Sequence, residues 1–325
     1  MKRKMIDLFA GAGGLTYGFW KEGFDIVETI EFWKPATETY NYNFKTNIIP
    51  LDITNQETKD NLYSDWTNKI DLIIGGFPCQ GFSMAGKRSQ KDDRNKLYLH
   101  TVDIIKNIKP EVFVLENVKG ILSYKEYDGI KVTEKIIELL NKSGYYCKFI
   151  LLDCSKFGIP QKRERVIFIG AKKKNKDKVD KTIKMLDNYN EKLMNVYEAI
   201  FDLKDAPENI DFNHIFTKHK NDFIEKIKNT PVGKSPMKNY SDAFRRIDYH
   251  KPSPTVKENH GGVHIHPELH RVLTPRELAR LQSFPDEFIF LGTKSNILKQ
   301  IGNAVPPKLS EVIAKMIKEI FFLDE

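Results

Sequence analysis

Short β-prone runs alternate with helical stretches through the first half of this chain, and that alternation limits the available folds more than any other feature. Residues 4–9 (KMIDLF) read as a first strand, 15–22 as a helix and 24–30 as a second strand, with further β-rich runs at 70–74, 111–115 and 165–170. Apolar runs this short, separated by helical segments, belong to a doubly wound α/β sheet. Asp52-Ile53 is expected at a third strand end. After Ala171 the strand pattern fades, and residues up to about Pro252 are rich in Lys, Asn and Asp with little periodicity. A second, smaller and irregular domain is therefore expected over 186–292, with 1–185 and 293–325 forming the sheet domain. Regularity returns at Thr274-Pro275-Arg276-Glu277, where Thr is a natural N-cap, Pro suits the first helical position and an acid follows. A final amphipathic helix is expected over 308–322.

Composition excludes several classes. A chain of 325 residues can bury a sizeable core and hold one large domain plus a smaller one. No apolar run approaches the roughly 18 residues of a membrane span, and the opening MKRKM lacks the apolar core of a signal peptide. Cys79, Cys147 and Cys154 form no CxxC pair, so neither a disulfide framework nor a zinc site is expected, and no metal is assigned. A reducing, cytoplasmic compartment follows. The net charge of +8 permits a polyanionic partner without identifying one. The basic run at 172–178 is more commonly a solvated face.

The chemistry-bearing residues fall where the expected strands end. Gly75-Gly76-Phe77-Pro78 stops the 70–74 run sharply and presents Cys79 at its carboxyl end, where open α/β sheets bind ligands. A nucleophilic thiol and a small buried hydrophobe both fit that position. The first strand runs into the glycine-rich turn of DLFAGAGG at 7–14, which lets a ligand approach the backbone closely or simply allows tight packing. Glu31, roughly 20 residues after that turn, is suited to a ribose or to a solvated loop. Asp52-Ile53 has similar potential. The spacing GAGG, rather than GxGxxG, argues against a dinucleotide. Glu116-Asn117-Val118 follows the 111–115 run, QKRER at 161–165 leads Arg163 and Arg165 toward the same crevice, and QIGNAVPP at 300–307 breaks the chain before the last helix. Each of these could be structural alone.

Together and in this order they resemble the C5-cytosine DNA methyltransferase family, in its compact bacterial or phage restriction-modification form. The motifs are DLFAGAGG, GGFPCQGFS at 75–83, ENV at 116–118, QKRER, RVLTPRELARLQSFP at 271–285 and QIGNAVPP. The resemblance covers almost the whole chain. It implies a doubly wound Rossmann-like S-adenosylmethionine-dependent methyltransferase sheet, with 186–292 as a target-recognition domain reading DNA mainly over 205–262.

Residue by residue, the resemblance implies Cys79 as the nucleophile that adds to cytosine C6, Glu116 as the group holding N3 and the exocyclic amine, and Arg165 with Arg163 on the base carbonyl or a neighbouring phosphate. Phe9, Gly11 and Gly13 would line the methionine part of S-adenosylmethionine, Glu31 would take the ribose, and Phe32 would stack on adenine where the family commonly has tryptophan. Asp52 and Ile53 would bound the adenine edge, and Pro78, Leu97, Asn303 and Ala304 would close the pocket. Ser83, Arg245, Arg246, Thr255, Gly261 and Gly262 would contact DNA, the two arginines as guanine readers. The target base must leave the stack to be reached. The implied setting is a monomer acting on duplex DNA, with a cognate restriction endonuclease acting separately. A transfer-RNA cytosine methyltransferase of the same family, a catalytically silent DNA-binding regulator and a nicotinamide-dependent oxidoreductase are the competing readings.

Overall fold

A computed structural model describes residues 2–78, 96–237, 243–258 and 263–323. Among them the elements run β1 (Lys4–Leu8), α1 (Gly14–Lys21), β2 (Asp25–Ile30), α2 (Lys34–Phe44), α3 (Gln56–Trp66), β3 (Leu72–Gly75), α4 (Leu97–Ile108), β4 (Val112–Val118), α5 (Val132–Lys142), β5 (Tyr145–Asp153), β6 (Glu164–Lys172) and α6 (Lys176–Asp187). Short helices α7 (Val196–Ile200), α8 (Asn221–Lys228) and α9 (Pro275–Leu281) follow, then α10 (Lys294–Asn303) and α11 (Pro307–Phe322). The sheet order is β2-β1-β3-β4-β6-β5.

The expected strands form within a few residues of their expected limits, because each is an apolar run whose side chains alternate between two covered faces. Met5, Leu72, Ile74, Val112 and Val114 face one core with α1, α6 and α11. Ile6, Leu8, Ile73, Phe113 and Leu115 face the other with α3, α4 and α5. Burying each such side chain is worth roughly 1.5–3 kcal/mol, which outweighs the modest strand preference of any single residue.

The sequence reading set no strand directions, and two elements depart from it. The sheet is mixed: β6 runs antiparallel to both β4 and β5. The edge strand β5 is not anticipated, because Lys148, Phe149 and Leu151 leave both of its faces partly exposed and blur the alternation. Conversely, no strand ends at Asp52-Ile53; that stretch is a loop, hung on the sheet by the Leu51 N–H donating to the Glu31 carbonyl at 2.8 Å. Thr274 does cap α9, in a capping box with Glu277 and with Pro275 at the first helical position.

Register aligns the functional ends. Leu8 lies opposite both Ile30 and Gly75, and Gly75 opposite Leu115. Val118 pairs with Arg165 at the start of the antiparallel β6. The turn after β1, Glu31, Gly76, Glu116 and Arg165 therefore emerge along one edge. A third apolar cluster joins Ala12, Tyr17, Tyr40 and Phe44 to residues from Val196 through Phe290 and on to Ile297 and Ile301. It crosses the expected boundaries at 186 and 292.

Candidate active site

The turn after β1 is built from left-handed residues: Phe9 (φ 57°), Gly11 (φ 57°) and Gly13 (φ 96°). At Gly11 a Cβ would meet nothing within 4 Å, so glycine serves the backbone angle there and leaves open space before it. Phe9 pays a strain of about 1–3 kcal/mol for the same conformation. Glu31 holds the turn from the neighbouring strand end: the Gly11 N–H donates to its Oε2 at 2.9 Å and the Trp33 N–H to its Oε1 at 2.7 Å. Glu31 is only 7% exposed. Burial raises its pKa, opposed by these backbone N–H groups and by the Lys299 charge. The Lys299 ammonium lies 4.6 Å from the Trp33 ring centre. Phe32, beside Glu31, presents its ring to solvent at 66% exposure.

Beneath this turn, Asp7 is buried and accepts the Thr16 hydroxyl on Oδ2, while Oδ1 has no hydrogen-bond partner. Burial drives its pKa up to about 8. The remaining residues expected to enclose this space differ in character. Asp52 is exposed and spends Oδ1 on the Thr54 N–H and O–H, both at 2.8 Å, whereas Ile53 is buried. Pro78 and Leu97 are half-buried, Asn303 is exposed at the end of α10, and Ala304 is half-buried just after it.

Glu116 and Arg165 meet at the start of the ladder between β4 and β6. Their Oε1 and Nε are 2.6 Å apart and both side chains are largely buried. Burial raises the Glu116 pKa, and Arg165 followed by Arg163 pulls it back. Asn117, which carried no assigned role in the sequence reading, is buried and donates to the Phe77 carbonyl at 3.0 Å, tying the end of β4 to the segment leading to Cys79. An uncharged amide inside a charged-and-apolar motif was the available signal for it. Cys79 itself lies outside the described residues, as do Ser83, Gly261 and Gly262. The other two thiols are buried. Burial pushes Cys154 up to about 11 and Cys147 higher still, so neither is a nucleophile at neutral pH.

Three expected contacts are corrected. Arg163 is 1% exposed and donates to the backbone carbonyls of Val256 (2.7 Å), Gly302 (2.9 Å) and Ala304 (3.0 Å), so it cannot reach a base or a phosphate. Arg246, 5% exposed, gives its guanidinium to the carbonyls of Ile227, Thr230, His266, Pro267 and Leu269, which removes it as a guanine reader. Thr255 donates its hydroxyl to the Lys162 carbonyl at 2.7 Å, leaving no hydroxyl proton for a phosphate. Arg245, next to Arg246 in the chain, is half-buried.

Comparison with known proteins gives the site a family. Residues 3–319 match the family described as C-5 cytosine-specific DNA methylase. The Type II methyltransferase M1.HphI of Haemophilus parahaemolyticus is 37% identical over 335 residues, covering 98% of this chain and 87% of that protein. M.DdeI of Desulfomicrobium norvegicum is 34% identical, with 98% and 89% covered. Among solved structures, an Escherichia coli prophage-encoded protein described as a DNA modification methyltransferase aligns over 100% of both chains at a TM-score of 0.80 and 29% identity. The Dnmt2 methyltransferase of S. pombe shares the fold at a TM-score of 0.68 and 17% identity, over 99% of this chain and 100% of its own. A family match of that extent, with relatives above 30% identity along nearly the whole length, leaves one conclusion: the chain belongs to the C-5 cytosine-specific DNA methylase family and is a DNA (cytosine-5)-methyltransferase.

Proposed function

We propose that the enzyme modifies a cytosine rotated out of a short duplex DNA site, through a covalent bond between the Cys79 sulfur and C6, with S-adenosylmethionine as its cofactor. The observation that carries this reading is the buried Glu116–Arg165 pair at 2.6 Å, one residue from the Asn117 amide that holds Phe77 and hence the approach to Cys79. The residues at the other end of the edge fit the cofactor. An exposed Phe32 ring suits an adenine face, the locked Glu31 carboxylate keeps lone pairs for two ribose hydroxyls, and the open space before Gly11 suits a methionine chain. When bound, S-adenosylmethionine supplies an electrophilic methyl group.

Cytosine C5 is too poor a nucleophile to take a methyl group unaided. Attack of the Cys79 thiolate on C6 pushes the ring electrons toward C5, and protonated Glu116 hands a proton to N3 as charge builds there. Burial, by raising the Glu116 pKa, keeps that proton available nearer neutral pH. Arg165 stabilises the carbonyl side of the ring and orients Glu116. Loss of the C5 proton to a base, departure of the Cys79 thiolate and return of the N3 proton to Glu116 restore the enzyme to its starting state. Arg163 acts through position alone.

Sequence recognition belongs in this reading to 186–292, with Arg245 as the remaining base-reading arginine. A cytoplasmic monomer acting beside a separate restriction endonuclease is the setting in this reading, and the Type II relatives support its restriction-modification part. Bisulfite sequencing of duplex DNA treated with the purified protein and cofactor should reveal one short site. A duplex carrying 5-fluorocytosine at that site should trap the wild-type enzyme covalently, because fluorine cannot leave as a proton does, and Cys79→Ser should not be trapped. Turnover by Cys79→Ser near that of wild type would overturn the mechanism. Preferential modification of transfer RNA would overturn the substrate.

A further inference from the structure

The turn that feeds β6 does more than deliver Arg165. Residues 160–163 run beside 253–256 as a short parallel ribbon. The Ser253 N–H donates to the Pro160 carbonyl at 2.9 Å, and the Lys162 N–H to the Ser253 carbonyl at 2.8 Å. Gln161 and Arg163 then capture both polar groups of a single peptide residue. The Val256 N–H donates to Gln161 Oε1 at 2.8 Å, and its carbonyl accepts from Arg163 at 2.7 Å. On its other side the Gln161 amide donates to Gln282 Oε1 at 2.9 Å and to the Leu281 carbonyl at 3.2 Å, and Gln282 donates in turn to the Ile301 carbonyl at 2.7 Å. Gly302 completes the junction: a Cβ there would lie 2.3 Å from the Lys257 carbonyl carbon, so the end of α10 touches this segment backbone to backbone.

Gln161, Gln282 and Val256 are all buried. A neutral amide that donates and accepts at once can bridge there without the cost of burying a charge. Three parts of the chain thus converge four residues before Arg165: the segment 253–257, the end of α9 and the end of α10. The segment 253–257 lies within the stretch assigned to DNA recognition.

We propose that Gln161 is a positioning residue that couples sequence recognition to chemistry, by tying Val256 to Gln282 and so fixing where Arg165 and its partner Glu116 stand when the recognition segment is seated on DNA. This rests on the reading of Glu116 and Arg165 as base-contacting groups. Misplacement of catalytic groups by about an ångström costs about 100-fold in rate, whereas cofactor contacts near Glu31 and Phe32 do not pass through this junction. The consequence is specific: the junction acts on the rate of the covalent step and on its discrimination between DNA sequences.

The test uses the full-length enzyme, its mapped site and the same duplex with one base pair changed. Gln161→Ala should slow single-turnover methylation of the mapped site by about 10–100-fold at saturating cofactor. The rate ratio between the mapped and altered duplexes should fall, and Gln161→Ala/Gln282→Ala should be no slower than Gln161→Ala. Gln161→Glu, which can still accept from Val256 but cannot donate to Gln282, should be intermediate. Rates slowed equally on both duplexes would reduce Gln161 to a purely structural part and overturn the proposal, as would an unchanged rate. If Gln161→Ala does not fold, Gln282→Ala carries the same two readouts with the Val256 contact intact. Trapping of the wild type by the 5-fluorocytosine duplex is run alongside. Its failure would refute the proposed mechanism itself, while trapping with unaltered variant discrimination would refute this inference alone.

Discussion

The sheet and the stretch from 188 to 292 solve the same problem in opposite ways. In the sheet, backbone polar groups pair in ladders, and apolar side chains fill both faces. Among its described residues the second region has short helices and isolated bridges but no strand ladder, so many buried carbonyls have no ladder to join. Buried side chains take the ladder's place. Arg246 collects five carbonyls around the end of α8. Arg276 collects those of Phe212, Pro285 and Phe288 at 2.8–3.1 Å, and Asn213 pairs with both polar groups of Phe290. A guanidinium carries five donors in a fixed fork, which suits a crossing of irregular chain. The lesson is that a basic residue in an irregular region is as readily an internal clamp as a contact for a polyanion.

Four measurements would break or sharpen that contrast. In the sheet region, Glu116→Gln keeps the side-chain shape and an acceptor for Arg165 but removes the titratable proton, and should slow methyl transfer by about 10²–10⁴-fold. Because burial raises the Glu116 pKa, the wild-type rate should fall as pH rises beyond a point above the usual glutamate range, and the variant should lose that limb. A variant within tenfold of wild type would remove Glu116 from the chemistry. In the irregular region, Arg246→Ala should cost about 3 kcal/mol or more in urea unfolding by stranding buried carbonyls. Its site preference should stay unchanged at temperatures where it remains folded. A stable Arg246→Ala enzyme with relaxed specificity would restore Arg246 as a reader and defeat the contrast.

Arg245→Ala is the matched control one residue away. It should weaken the mapped site by about 1–3 kcal/mol, with discrimination lost at one base pair. Equal weakening across a random-sequence duplex library would make Arg245 a phosphate contact instead. The last measurement concerns Asp7. Its folded-state pKa, about 8, lies above the unfolded value of 3.8, so the folded state holds the proton more tightly between those limits. The associated stability is complete below the unfolded value and is lost as pH rises toward 8. Asp7→Asn keeps a partner for Thr16 without titrating, and should flatten the stability profile between pH 4 and 8. An unchanged slope would show that Asp7 ionises normally in the fold.

Much of the sheet half was legible because its signals are local. Apolar runs of strand length, a proline–glycine stop and a Thr-Pro-x-Glu helix entry each constrain a few consecutive residues, and the strands and α9 followed them. The exposed β5 and the missing strand at Asp52 mark the limit of that reasoning, since edge strands and strand-like loops differ only in what pairs with them. The order of motifs in the sequence alone carried the family and the identity of the acid and the cation at the strand ends. What only the tertiary structure decided is which arginines are spent on distant backbone carbonyls. Arg163 and Arg165 sit two apart in one motif, and Arg245 and Arg246 are neighbours, yet in each pair one is consumed by carbonyls contributed from up to 141 residues away. Charge and spacing are properties of the chain, but a donor's freedom depends on which distant backbone groups folding leaves without a partner.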